Sequence, residues 1–146
     1  MEVPKKNQLS DSFQNEEKLM HQSKHILLEL YRCDFDKLND ESFLSYTLNN
    51  AAKLANATVL NLITNKFEPQ GVTAIALLAE SHLSIHTWPE AQYSAVDIFT
   101  CGQNMKPDIS CKYLIQALMA EEHLLRVITR NPPFKVHNQV KKYNKL

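Results

Sequence analysis

Glycine is almost missing from this chain. Gly71 and Gly102 are the only two in 146 residues, and both lie close to one dense polar segment. Each is first read as a turn residue, where the backbone needs dihedrals that other residues resist. With no glycine beside Ser81 there is no G-x-S-x-G elbow, which argues against a hydrolase nucleophile of that type. Net charge is missing as well: 16 Lys and Arg offset 16 Asp and Glu. A neutral molecule does not advertise binding to nucleic acid or to an acidic membrane. No apolar run approaches the ~20 residues of a membrane span. The opening MEVPKKNQLSDSFQNEEKLM has no apolar signal core. Three cysteines, an odd number, without an export signal imply reduced thiols and a cytoplasmic location. Internal repeats and low-complexity tracts are absent too.

What is present reads as one domain of ordinary globular composition. Residues 1–22 are expected to form a flexible arm, residues 23–130 the folded domain, and 131–146 a basic tail that is disordered and solubilising. Within the domain, HILLELYRC (His25–Cys33) is a strand candidate. Asn39 or Asp40 caps a helix whose Leu44, Leu48, Ala51 and Ala55 recur at helical spacing. TVLNLITNKF (Thr58–Phe67), the turn EPQG and VTAIALLAE read as a hairpin. SHLSIHTW is a fourth strand stopped by Pro89, and YSAVDIFT (Tyr93–Thr100) a fifth. Asp108 or Ser110 caps a second helix carrying Leu114, Ile115, Leu118 and Met119, and HLLRVITR is the last strand. The order β-α-β-β-β-β-α-β predicts an α+β two-layer sandwich: a mainly antiparallel sheet with two helices on one face.

The segment AESHLSIHTWPE, Ala79–Glu90, concentrates reactive side chains in a strand. Alternation sets His82, Ser84, His86 and Trp88 on one face and Ser81, Leu83, Ile85 and Thr87 on the other, unless a bulge resets the register. A zinc site fails on geometry. His82 and His86 stand ~13 Å apart on a strand, too far for ligands that bind at about 2 Å. Residue types alone leave satisfied surface or core groups as an open alternative to chemistry.

The runs HILLELYRCD, FEPQGVTAIALLAESHLSIHTWPE and YSAVDIFTCG closely resemble the prokaryotic-type S-adenosylmethionine decarboxylases. The resemblance covers about His25 to Ile128, with a dense block at Phe67–Gly102. It implies a proenzyme that cuts itself between Glu80 and Ser81 into a β chain, 1–80, and an α chain, 81–146. Ser81 becomes a covalent pyruvoyl cofactor, which forms a Schiff base with the substrate amine and accepts the electrons released by decarboxylation. His86 matches the proton acceptor in processing, a task suited to a near-neutral imidazole. Thr73 matches a position whose hydroxyl assists processing. Cys101 matches the acid that returns a proton to the substrate Cα, with Gly102 beside it to turn the backbone away. Glu90 matches the acid that binds the ribose hydroxyls. Phe67 and Trp88 match aromatic positions near the adenine and the cationic sulfonium. Cys33 and Cys111 have no such match and are read as packing residues.

The implied reaction converts S-adenosylmethionine to its decarboxylated form and CO2 for spermidine synthesis. The implied assembly is a homodimer of αβ units, with sites near the interface and no metal, nucleic acid or membrane. The same machinery acting on ornithine or arginine, or a non-catalytic homologue, are the alternatives. They are weakened by Phe67, Trp88 and Glu90, and by Ser81, His86 and Cys101, respectively. One departure stands out: the family commonly reads TWPE-Tyr-Gly-Tyr, whereas here Ala91 and Gln92 follow Glu90. Strict alternation also opposes Ser81 and His86, so a bulge or kink is expected between them.

Overall fold

The computed structural model describes residues 23–101 and 103–130. The expected arm, the basic tail and Gly102 lie outside the described residues. Six strands form one sheet in the order β2-β3-β4-β5-β1-β6, and every pairing is antiparallel. The strands are β1 (Ser23–Tyr31), β2 (Val59–Lys66), β3 (Val72–Leu78), β4 (Ser81–Trp88), β5 (Tyr93–Cys101) and β6 (Glu122–Arg130). The helices are α1 (Phe35–Leu38), α2 (Glu41–Leu54) and α3 (Pro107–Ala117).

One sheet face carries Leu28, Leu30, Ala74, Ala76, Leu83, Ile85 and Ile98, all essentially inaccessible. Leu44, Leu48 and Ala51 of α2 and Cys111 and Leu114 of α3 close over it as a single core. Each fully buried leucine there contributes about 2 kcal/mol of transfer free energy. The opposite face is uncovered among the described residues. Ile63, Leu77, Trp88, Leu124 and Ile128 stand exposed on it.

Local chemistry explains where the elements stop. β1 ends two residues short of the expected Cys33 because Arg32 takes a left-handed φ of 53°. Cys33 is then held at the end of the sheet, buried, by its N–H bond to the Gln92 carbonyl, 2.9 Å. The single turn α1 has no counterpart in the sequence reading. Asp34 caps it by accepting from the Lys37 N–H at 2.9 Å. Asp40 caps α2 as expected, accepting from the Phe43 N–H at 2.9 Å. Asn39 serves the next loop instead, accepting from the Gly71 N–H at 3.1 Å.

The expected cap of α3 was wrong. The helix opens at Pro107 after Lys106, with no side-chain cap; the fixed φ of proline suits the first helical position, where its missing N–H would be unpaired in any case. Asp108 falls in the first turn. Ser110 is buried and donates to the Ala51 carbonyl at 2.7 Å, tying α3 to α2.

Candidate functional site

β3 and β4 form a tight hairpin joined by Ala79 and Glu80, with Leu78 opposite Ser81. The Glu80 side chain anchors this tip, accepting from the Thr58 N–H at 3.0 Å. Ser81 has φ 148°, a backbone region that non-glycine residues rarely occupy. Such a conformation costs of order 1–3 kcal/mol and persists only when its surroundings impose it. The strain therefore sits at the peptide bond where the resemblance implies cleavage. The Glu80 carbonyl oxygen accepts a hydrogen bond from the Cys101 N–H at 2.8 Å. A donor held on that oxygen stabilises negative charge if the carbonyl carbon is attacked. The Cys101 thiol is exposed at the end of β5, 3.3 Å from the Ser23 hydroxyl. Ser81, Glu80 and Cys101 are thus gathered at one end of the sheet.

The remaining family-matched residues gather elsewhere. Thr73 lies directly opposite His86 across β3 and β4, and its hydroxyl meets His86 Nδ1 at 2.8 Å. Trp88 ends β4 half-exposed and stacks on Tyr93 at 5.3 Å. Tyr93 stacks in turn on Tyr31 at 5.5 Å. The Tyr93 hydroxyl donates to the Glu29 carboxylate. Burial, then that carboxylate, push its pKa up to about 12. Glu90 lies in the 3-10 turn Pro89–Ala91 and accepts from the Gln70 amide at 3.1 Å. Phe67 is half-exposed at the start of the β2–β3 turn, its N–H bonded to the Gly71 carbonyl at 2.8 Å. Gly71 has φ 102°, and a Cβ there would lie 3.0 Å from the Thr87 carbonyl oxygen, so glycine is required at this position.

β4 pairs with both neighbours without a register shift from Ser81 to Trp88. The expected bulge between Ser81 and His86 is therefore absent. The irregularity of the sheet lies between Val59 and Asn61 of β2, and the local distortion of β4 is the backbone of Ser81 itself. Five residues of regular strand hold Ser81 and His86 ~17 Å apart within one chain. The site residues thus form two half-sites at opposite ends of the sheet.

At the Ala91–Gln92 departure the chain keeps a left-handed turn. Gln92 takes φ 50°, the left-handed conformation that a glycine at this position would favour. Its side-chain amide donates to the Cys33 carbonyl at 3.3 Å. Cys33 and Cys111 are buried, and burial raises both thiols from 9.0 to about 11, as packing residues require. A cleft of 480 Å³ opens between α2 and β2, lined by Glu41, Tyr46, Asn49 and Thr64. None of the family-matched residues lines it. Among the described residues no group of three or more metal-ligating side chains occurs, and no helix is long and apolar enough to cross a membrane.

Sequence reasoning overlooked the surroundings of the hairpin tip. His82 Nδ1 lies 3.5 Å from Ser81 Oγ. Its ring packs against Phe99 at 5.7 Å and edge-on to His25 at 6.4 Å. His25 pairs with Asp97 at 3.0 Å. Period-two alternation in β1, β4 and β5 held this signal, because the three strands are adjacent and place these rings on one face.

Residues 24–131 match the S-adenosylmethionine decarboxylase family. An S-adenosylmethionine decarboxylase proenzyme of Prochlorococcus marinus is 61% identical over 110 residues, covering 75% of this chain and 88% of that protein. S-adenosylmethionine decarboxylase proenzyme 2 of Bacillus anthracis is 46% identical over 106 residues, covering 72% and 86%. The crystal structure of the adenosylmethionine decarboxylase from Aquifex aeolicus superposes with a TM-score of 0.73 at 36% identity, covering 82% of this chain and 98% of that one.

Proposed function

The chain belongs to the S-adenosylmethionine decarboxylase family, and from that premise we propose that it cuts itself at Glu80–Ser81 and decarboxylates S-adenosylmethionine. The observation that carries the self-cleavage is the hairpin tip. A strained Ser81 at φ 148° follows a carbonyl already held by the Cys101 N–H at 2.8 Å. Ser81 Oγ attacks the Glu80 carbonyl carbon, and the oxygen charge that develops falls on the Cys101 donor. Collapse breaks the C–N bond and leaves an ester. Removal of the Ser81 Cα proton expels the Glu80 carboxylate and leaves dehydroalanine. Water then releases ammonia, so residue 81 heads the second chain as a pyruvoyl group.

That group fits the tip: it is made from the half-exposed Ser81, at the end of the sheet and beside a free thiol. It supplies the carbonyl that no side chain offers, an electron sink for loss of CO2. The protein's own residues do the rest. Cys101 donates a proton to the substrate Cα after CO2 leaves. The Glu90 carboxylate accepts from the two ribose hydroxyls. Phe67 and Trp88 present apolar faces to the adenine and the cationic sulfonium. The product is an aminopropyl donor for spermidine-type polyamines.

The working site is built by two copies of the chain. Thr73, His86, Phe67, Trp88 and Glu90 belong to the half-site remote from Ser81. A second copy laid antiparallel on the uncovered sheet face brings its His86 to the Ser81 of the first. The exposed Ile63, Leu77 and Ile128 of that face support this arrangement. Intact mass spectrometry tests the cleavage. Fragments of 80 and 66 residues are expected, the second lighter by one ammonia than a serine-headed chain. A single uncut chain after long incubation refutes it.

A further inference from the structure

We propose that His82 is the base that takes the Ser81 Oγ proton in the first step of self-cleavage. This rests on the self-cleavage reading and adds a catalytic residue to it. Among the described residues, His82 Nδ1 is the side-chain hydrogen-bond partner of Ser81 Oγ, at 3.5 Å. Such contacts are commonly loose before reaction and tighten as the proton moves. His86 cannot serve this step in its own chain, being five residues along a regular strand and engaged with Thr73.

The imidazole is held for the task. Phe99 of β5, directly opposite His82, packs on it at 5.7 Å and 47°. The His25 ring of β1 meets it edge-on at 76°, fixed by the bond from His25 Nε2 to Asp97 at 3.0 Å. Arg130 of β6 lies over the Phe99 ring at 5.5 Å. Ring packing from two strands restricts the side-chain rotation that would swing Nδ1 away from Oγ.

The step balances without a co-reactant. Neutral His82, protonated on Nε2, accepts the Oγ proton on Nδ1. The Oγ lone pair forms the C–O bond to Glu80, and the carbonyl electrons move to the oxygen held by the Cys101 N–H. As the C–N bond breaks, His82 returns its proton to the Ser81 nitrogen. An ester and a free amine result, with no net proton change. His82 thus makes the ester and His86 of the partner copy eliminates it.

Hydroxylamine at neutral pH cuts esters and spares amides, so it separates the two steps. Wild type, His82→Ala, His82→Asn and His86→Ala are purified as full chains and followed by intact mass with and without hydroxylamine. His86→Ala should accumulate a hydroxylamine-sensitive chain. His82→Ala should stay hydroxylamine-resistant, with ester formation slowed about 100-fold, the scale of a lost general base. Added imidazole should restore part of that rate. His82→Asn keeps a polar atom near the Nδ1 position but no base; it guards against misfolding of the alanine variant and should be as slow. A His82→Asn chain that is cut at the wild-type rate, or that accumulates ester, overturns the role of His82. A wild-type chain that stays uncut and hydroxylamine-resistant sinks self-cleavage itself, which is a separate result.

Discussion

Two inactive versions of this chain should rescue each other when made together. Ser81→Ala removes the cleavable serine from one half-site and leaves Thr73, His86 and Glu90 intact. His86→Ala damages the other half-site and leaves Ser81 and Cys101 intact. Each variant alone builds dimers in which every site lacks one essential group. The uninterrupted pairing of β4 keeps Ser81 and His86 ~17 Å apart, so no single chain repairs itself by side-chain motion. In a co-expressed pair, random assembly makes half of the dimers mixed, and each mixed dimer has one intact site of two. Total CO2 release should therefore reach about a quarter of the wild-type value. Denaturing electrophoresis should show the same fraction of chains cut, all of them His86→Ala chains, identified by mass. Affinity tags of two kinds would isolate the mixed species, in which the expected activity is about half of wild type. Activity no higher than that of either parent would refute the division of the site between copies. Near-wild-type processing by His86→Ala alone would refute it equally.

Cys101→Ala should still cut, because the donor on the Glu80 carbonyl is its backbone N–H, yet it should lose activity with turnover as protonation goes astray; sustained linear CO2 release would remove the thiol from that role. In the native protein, Cys101 should be the described cysteine that iodoacetamide labels near pH 8, since burial holds the Cys33 and Cys111 thiols up to about 11; labelling is read by peptide mass. Those two thiols keep their protons in the folded state while unfolded thiols lose theirs near 9.0. Folding stability is therefore intact below about pH 9 and falls as pH rises from there to about 11, by up to about 2 kcal/mol per thiol. Thermal melts across that range check the sign, and a rising Tm would contradict it. Gln92→Gly should leave Tm within a few degrees and KM within about twofold, because relief of a left-handed side chain offsets the glycine's extra unfolded freedom; a large KM change would show that the turn depends on the glutamine itself.

The six strands were legible because alternation and turn chemistry act within a few residues. SHLSIHTW in particular proves to be β4 from end to end. The turn α1 was not, since four residues cannot display a helical period. The start of α3 misled because two good capping residues, Asp108 and Ser110, lie just inside a helix that already opens at Pro107. Gln92 shows a different limit. The sequence flagged a lost glycine, but only the fold reveals that the left-handed turn survived. Most instructive is the conflict between Ser81 and His86. Their five-residue spacing opposes them, and a bulge was invoked to reunite them within one strand. The regular ladder removes that escape. Spacing along one chain cannot report which copy of a residue is meant.

The strand order β2-β3-β4-β5-β1-β6 has a consequence for the cut molecule. The proposed cleavage at Glu80–Ser81 would leave β1, β2 and β3 on one fragment and β4, β5 and β6 on the other. β1 is threaded between β5 and β6, and β3 remains zipped to β4. The fragments are interlaced across three seams and need no disulfide to stay together. Once pulled apart, however, they must find each other by diffusion and reinsert a central strand. Refolding then becomes a second-order process, although the first folding was an intramolecular one. The precursor can fold many times; the mature enzyme holds a shape it reached as a single chain, and heat that disrupts it acts more like breakage than like melting.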